Sequence, residues 1–258
     1  MKVISLINHK GGVGKTSTAL AIADGLNRTG KDVLFIDLDP QGNATYTLDV
    51  IDQCLKCGAI ESRALFDPSY VVDVKHLATR QSLAIIPATQ YLALAENALE
   101  DELHALKINI KALEPSFEYC IIDTPPALNN LMLDALQISD YAIIPAKTDS
   151  YSLKGVEQIT DTINAVKETN KALQVLGIVF NMYEPRLTLT RLIERNFNNV
   201  AKKMNTKVFD TKIRKAQSVA ESATVKQSIY EYAPTSKVVK DYENLIIEIL
   251  DEIDKRDF

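Results

Sequence analysis

Six apolar runs punctuate the chain, at 3–8, 33–37, 83–87, 119–123, 141–145 and 175–181. None alternates apolar with polar positions, a pattern that predicts strands buried on both faces, as in a parallel sheet. Stretches with helical spacing separate them, at 15–28, 90–113, 153–169 and 187–204. A last one, 236–253, sets Val239, Tyr242, Ile246, Ile249 and Ile253 along one face. Strand then helix, repeated, implies right-handed crossovers. The predicted fold is α/β: a single doubly wound, mostly parallel sheet with helices on both faces, residues 1–258 forming one domain. Residues 42–60 carry the weakest pattern and are predicted to be a surface excursion.

The chain of 258 residues has 46% hydrophobic and 24% charged side chains. That composition excludes a disordered, collagen-like or disulfide-stapled protein. No run approaches the ~20 apolar residues of a membrane span. Three cysteines without a secretory signal predict reduced thiols and a cytoplasmic protein.

Charge is unevenly spread. The net charge is −5, but residues 181–240 carry 12 basic and 5 acidic side chains, and residues 241–258 carry 2 basic and 7 acidic. A concentrated basic segment can meet a polyanion, or it can be a set of solvated helix faces.

The chemistry gathers around Lys10-Gly11-Gly12-Val13-Gly14-Lys15-Thr16-Ser17, between the first strand and the first helix. Glycines let successive N–H groups turn around a phosphate, and the helix N-terminus adds partial positive charge. Lys15 would neutralise β- and γ-phosphate oxygens, and the Thr16 hydroxyl would ligate Mg²⁺. The standard pattern asks for a glycine where His9 stands, and an additional lysine, Lys10, is present instead. Asp37, Asp39 and Asp123 lie at strand ends, where open α/β sheets bind ligands.

This KGGVGKT loop resembles the deviant Walker A loop of the ParA/MinD family of ATPases. Residues 37–45, DLDPQGNAT, resemble the second-strand motif of chromosomal and plasmid partition ATPases of the ParA/Soj type. Residues 121–126, IIDTPP, resemble their Walker B and switch region. The resemblance implies ATP and Mg²⁺ as ligands. It implies that Lys10 reaches the phosphates of a second subunit in an ATP-dependent homodimer, and that Lys10, Lys15 and Asp39 serve catalysis, Asp39 by orienting the attacking water. It also implies that Asp123 holds the metal through water while Asp37 supports the loop and the metal's water shell. Val179-Phe180-Asn181 is similar to the strand whose asparagine reads adenine, and Ile213-Arg214-Lys215 to the stretch over the base.

By the same resemblance the protein is a nucleoid-associated DNA segregation ATPase. Its dimer would bind non-specific double-stranded DNA until a ParB-like centromere-binding protein stimulates hydrolysis. Candidate DNA residues are Arg186, Arg191, Arg195, Lys202 and Lys203; Arg191 and Arg195 share a helical face. Two other readings stay open: an ATP-gated electron-transfer or Fe–S assembly protein, for which Cys54 and Cys57 are the weak signal, and a positioning ATPase for a protein cargo. The acidic end 241–258 predicts no membrane anchor. A phosphate loop beginning at residue 10 predicts no operator-binding extension before it.

Overall fold

The computed structural model describes residues 1–97, 100–185 and 188–257. Its strands are β1 (Lys2–Leu6), β2 (Val33–Asp37), β3 (Ala78–Arg80), β4 (Leu83–Ile86), β5 (Tyr119–Asp123), β6 (Tyr141–Ala146) and β7 (Gln174–Phe180). They form one sheet in the order β3-β4-β2-β5-β1-β6-β7. All pairings are parallel except the β3–β4 hairpin at the edge. The doubly wound α/β expectation is met.

The helices are α1 (Lys15–Arg28), α2 (Asn43–Leu48), α3 (Ile51–Cys57), α4 (Glu100–Leu113), α5 (Asn130–Gln137), α6 (Ser150–Lys167), α7 (Thr188–Lys203), α8 (Gln217–Thr224), α9 (Ile229–Tyr232) and α10 (Lys237–Asp257). Successive strand residues point to opposite faces. Phe35 and Ile121 therefore pack with α1, α9 and α10 on one side, while Leu34, Ile36 and Ile122 pack with α4 and α5 on the other. Ile144, Ile178 and Phe180 join α6 and α7 on that second side. Gly25 permits a close approach within the first layer: a Cβ there would lie 2.5 Å from the Tyr230 hydroxyl and 2.2 Å from Ile246 Cδ1.

The six predicted strands are present, each within about two residues. Three expectations need correction. Residues 42–60 are not a surface excursion, because α2 and α3 occupy most of them and Ala44, Thr45, Leu48 and Val50 are buried. The predicted 90–113 helix divides into a 3₁₀ segment (Gln90–Asn97) and α4. Acidic Glu100, Asp101 and Glu102 open α4, where the positive end of the helix dipole favours them. Helix α6 begins at 150 and not at 153, because Asp149 caps it by accepting from the Ser152 N–H at 2.7 Å.

Asp134 of α5 is buried with one carboxylate oxygen unpartnered. Burial pushes its pKa up to about 6, opposed by Lys107 and aided by Glu102. The unfolded chain gives up that proton at lower pH, so native stability falls as pH rises from about 4 to about 6 and stays reduced above. Asp134→Asn should raise stability by about 1–2 kcal/mol at pH 7.5 and flatten that part of the profile. Urea unfolding of both chains at pH 5 and 7.5 measures it, and a destabilised variant at pH 7.5 contradicts it.

Candidate active site

Strand register assembles the site. Asp37 pairs with Asp123 across β2 and β5, and Asp123 pairs with Leu6 across β5 and β1. The loops leaving these three neighbouring strands therefore emerge side by side at their C-terminal ends. After β1 the chain turns through Gly12 (φ 70°) and Gly14 (φ 85°) into α1, whose N-terminal end has no side-chain cap. Both angles lie where a Cβ is strained. A Cβ on Gly14 would also sit 2.7 Å from Asn181 Nδ2. Thr124 closes the back of the loop, its hydroxyl donating to Leu6 O at 2.7 Å.

Lys15 is buried, and burial lowers its pKa against the pull of Asp123 and Asp39. Asp123 is fully buried and no donor meets hydrogen-bond geometry at either carboxylate oxygen, although the Thr16 hydroxyl lies near enough to lower its pKa. Burial and the neighbouring Asp37 raise its pKa, and Lys15 offsets part of this. An ionised carboxylate so placed is costly without a donor or a cation. Asp39 is turned toward the open side. Its Oδ1 accepts from Gln41 N–H at 3.0 Å, and it lines a cavity of about 520 Å³.

That cavity begins at Gly11, Gly12, Gly14, Lys15, Thr16 and Ser17. It continues between α1 (Leu20, Ala21), α2 (Asn43, Tyr46, Thr47), α8 (Val219, Ser222, Ala223, Thr224) and Tyr230 and Tyr242. Anion-binding backbone lies at one end, aromatic and small apolar side chains at the other. This suits a ligand with a polyphosphate and a planar ring. The residues fit magnesium as well, since the orphaned Asp123 oxygens lie in the same strand-end cluster as Thr16, which lines the cavity.

The AAA domain family matches residues 1–175. The sporulation initiation inhibitor protein Soj of Bacillus subtilis is 34% identical over 257 residues, 96% of this chain and 98% of that one. The chromosome-partitioning ATPase Soj of Thermus thermophilus is 34% identical over 248 residues, 96% and 94% of the two chains. The chain belongs to the ParA/Soj family of partition ATPases. Among solved structures it resembles cobyrinic acid a,c-diamide synthase from Mycobacterium smegmatis with bound ADP and magnesium. The TM-score is 0.76 and the identity 28%, covering 97% of this chain and 94% of the other.

In this ParA/Soj chain the distinctive lysine points away from its own cavity. Lys10 Nζ lies 3.0 Å from both Asp149 oxygens and 3.2 Å from Ser152 Oγ, with the Tyr151 ring 5.7 Å away. Asn8 holds the lysine's backbone, its Oδ1 accepting from Lys10 N–H at 2.9 Å. Sequence reading missed Asn8, Asp149 and Ser152. The only signal for the last two was a capping residue before a helix.

Asn181 ties β7 to the phosphate loop, its Nδ2 donating to Val13 O and Thr18 Oγ1 at 2.9 Å each. Its Oδ1 is buried and unpartnered, but Asn181 does not line the cavity, so its expected reading of adenine is corrected: this side chain braces the phosphate loop. Arg214 lies outside the cavity wall, forked onto Asp241 through two 2.6 Å bonds. Its expected place over the base is therefore corrected: the carboxylate of α10 holds it. Asp37 likewise stays out of the lining, and its carboxylate accepts three hydrogen bonds from protein donors, an arrangement that suits a part in the loop rather than in the metal's shell.

Much of the basic segment is neutralised by α10 and other acids. Lys207 pairs with Glu248 and Glu252, Lys212 with Glu194, and Lys226 with Asp49. Arg195, Lys202 and Lys203 are exposed on α7. Arg186 lies outside the described residues, as does the side chain of Arg191.

Gly14→Ala should cost more than Gly12→Ala. Both place a Cβ at positive φ, about 1 kcal/mol, but only the first also drives into Asn181 while Gly12 faces open space. Thermal unfolding and nucleotide binding of the two variants should show the larger loss for Gly14→Ala in both. Equal losses would contradict this reading of the loop.

Proposed function

We propose that the chain is an Mg²⁺-dependent ATPase whose ATP-bound homodimer holds non-specific duplex DNA and lets go after hydrolysis, a partition cycle set off by a ParB-like centromere-binding protein. The observation that carries it is the pairing of a complete phosphate cradle with a Lys10 held outside its own cavity. A site with every part but one suits completion by a second subunit. In this reading Gly11–Thr16 backbone N–H groups and Lys15 bind and neutralise the phosphates. Thr16 directly, and Asp123 through water, would hold magnesium, which would supply positive charge at the phosphates.

Asp39 orients the attacking water as the bond to the γ-phosphorus forms and the β–γ bridging P–O bond breaks, giving ADP and inorganic phosphate. Lys10 of each subunit leaves Asp149 and adds charge at the other subunit's phosphates. Lys10→Ala should therefore abolish ATP-dependent dimerisation and lower turnover by at least about tenfold. Sedimentation with ATP and steady-state turnover measure both, and if neither changes the shared-site mechanism is wrong.

The DNA surface in this reading is α7. Arg195 and Lys202, seven residues apart, differ by only about 20° around the helix. Duplex DNA of random sequence should bind with ATP–Mg²⁺ and not with ADP or without nucleotide. Affinity should fall steeply with salt, and Arg195→Ala with Lys202→Ala should weaken it about tenfold without changing dimerisation. Absence of binding in every state would transfer the cycle to a protein cargo. For the Fe–S alternative, Cys54 is the one cysteine of the pair whose side chain is described, that of Cys57 lying outside the described residues. The Cys54 thiol is pushed up to about 11 by burial.

A further inference from the structure

Asp37 is fully buried and does not line the cavity. Its Oδ2 accepts from Thr45 N–H at 2.9 Å and from the Thr45 hydroxyl at 2.8 Å, and its Oδ1 accepts from Asp39 N–H at 3.0 Å. Thr45 Oγ1 in turn accepts from Ala88 N–H, just after β4, at 2.8 Å. A hydroxyl has one proton, and here it goes to Asp37, so the direction of every bond in the chain is fixed. The Ser62 hydroxyl holds Asp37 from behind, donating to its carbonyl at 2.5 Å.

We propose that Asp37 and Thr45 are positioning residues that together clamp the 39–47 segment and thereby aim Asp39 into the cavity, without touching nucleotide or water themselves. This rests on the reading of Asp39 as the residue that orients the attacking water. The geometry favours a clamp over mere packing. Asp39 is held at its N–H by Asp37, at Oδ1 by Gln41 N–H and at its carbonyl by Gly42 N–H, 2.8 Å away. The turn runs straight into α2, where Asn43, Tyr46 and Thr47 face the cavity while Thr45 faces the core. One side chain on the buried side of α2 therefore sets both the turn and the cavity-lining side of the helix. A valine would fill the same space, but it would leave Ala88 N–H unpaired and Asp37 short of a donor. A shift of about 1 Å in a residue that positions a reactant is enough to slow chemistry greatly.

The test compares Thr45→Val and Thr45→Ser in the full chain, measuring turnover, ADP affinity and thermal unfolding. The clamp predicts that Thr45→Val lowers kcat by at least about tenfold while ADP affinity changes by less than about threefold. Thr45→Ser, which keeps the hydroxyl, should restore kcat to within about threefold of the parent. Turnover of Thr45→Val close to the parent's, loss of ADP affinity equal to the loss of turnover, or failure of serine to rescue would each overturn the clamp. Absence of turnover in the unsubstituted chain would instead overturn the reading of Asp39, and with it the catalytic purpose of the clamp.

Discussion

The register of β2, β5 and β1 is the constraint on which the site depends. It presses two carboxylates, Asp37 and Asp123, to one level at the dry end of a sheet, with a single buried ammonium nearby on Lys15. Buried charge demands compensation, and the fold treats the two acids differently. Asp37 receives three protein donors and becomes part of the scaffold. Asp123 has only the Thr16 hydroxyl close by, so the free energy of ionising it is lowered by whatever cation arrives. The same residue type, one strand apart, is spent once on structure and kept once for a ligand.

Most of this architecture is legible in the sequence because it is periodic or local. The parallel strands carry their own signal in uninterrupted apolar runs, and α1 is read to the residue because Gly14 and Lys15 mark its start. The elements that escaped are those without a period to read. Strand β3 is three residues long with Thr79 and Arg80 facing partly outward, and α2, α3, α5, α8 and α9 have eight residues or fewer. Yet α2 and α8 supply much of the cavity wall. The phosphate end could thus be named from the sequence, while the aromatic end of the cavity, built from Tyr46, Val219, Tyr230 and Tyr242, depends on tertiary approach.

Charge shows the same division. In the sequence the basic 181–240 segment and the acidic C-terminal stretch stand as separate blocks. The fold lays α10 beside that segment, with Lys207 and Arg214 reaching its acids. A local excess is then partly an internal pairing, and only charges that point away from α10 remain for a polyanion. Which ones do so depends on helix packing, including the close approach that Gly25 grants to α9 and α10, and no charge count contains it.

The strength of the Lys10–Asp149 contact bears on the proposed cycle. Its two side chains are 32% and 38% exposed, and ion pairs in such surroundings contribute about 0–1 kcal/mol. A deeply buried pair would cost several kcal/mol to break and would hold the subunit shut against its partner. This pair costs little to open, so the charge-assisted bonds Lys10 could make at a phosphate in a closed interface would outweigh it. Until then the pair biases the ammonium away from its own chain's cavity, where it would supply the missing charge without a second subunit. A weak restraint is therefore enough for a switch of this kind, provided that it points the lysine the right way.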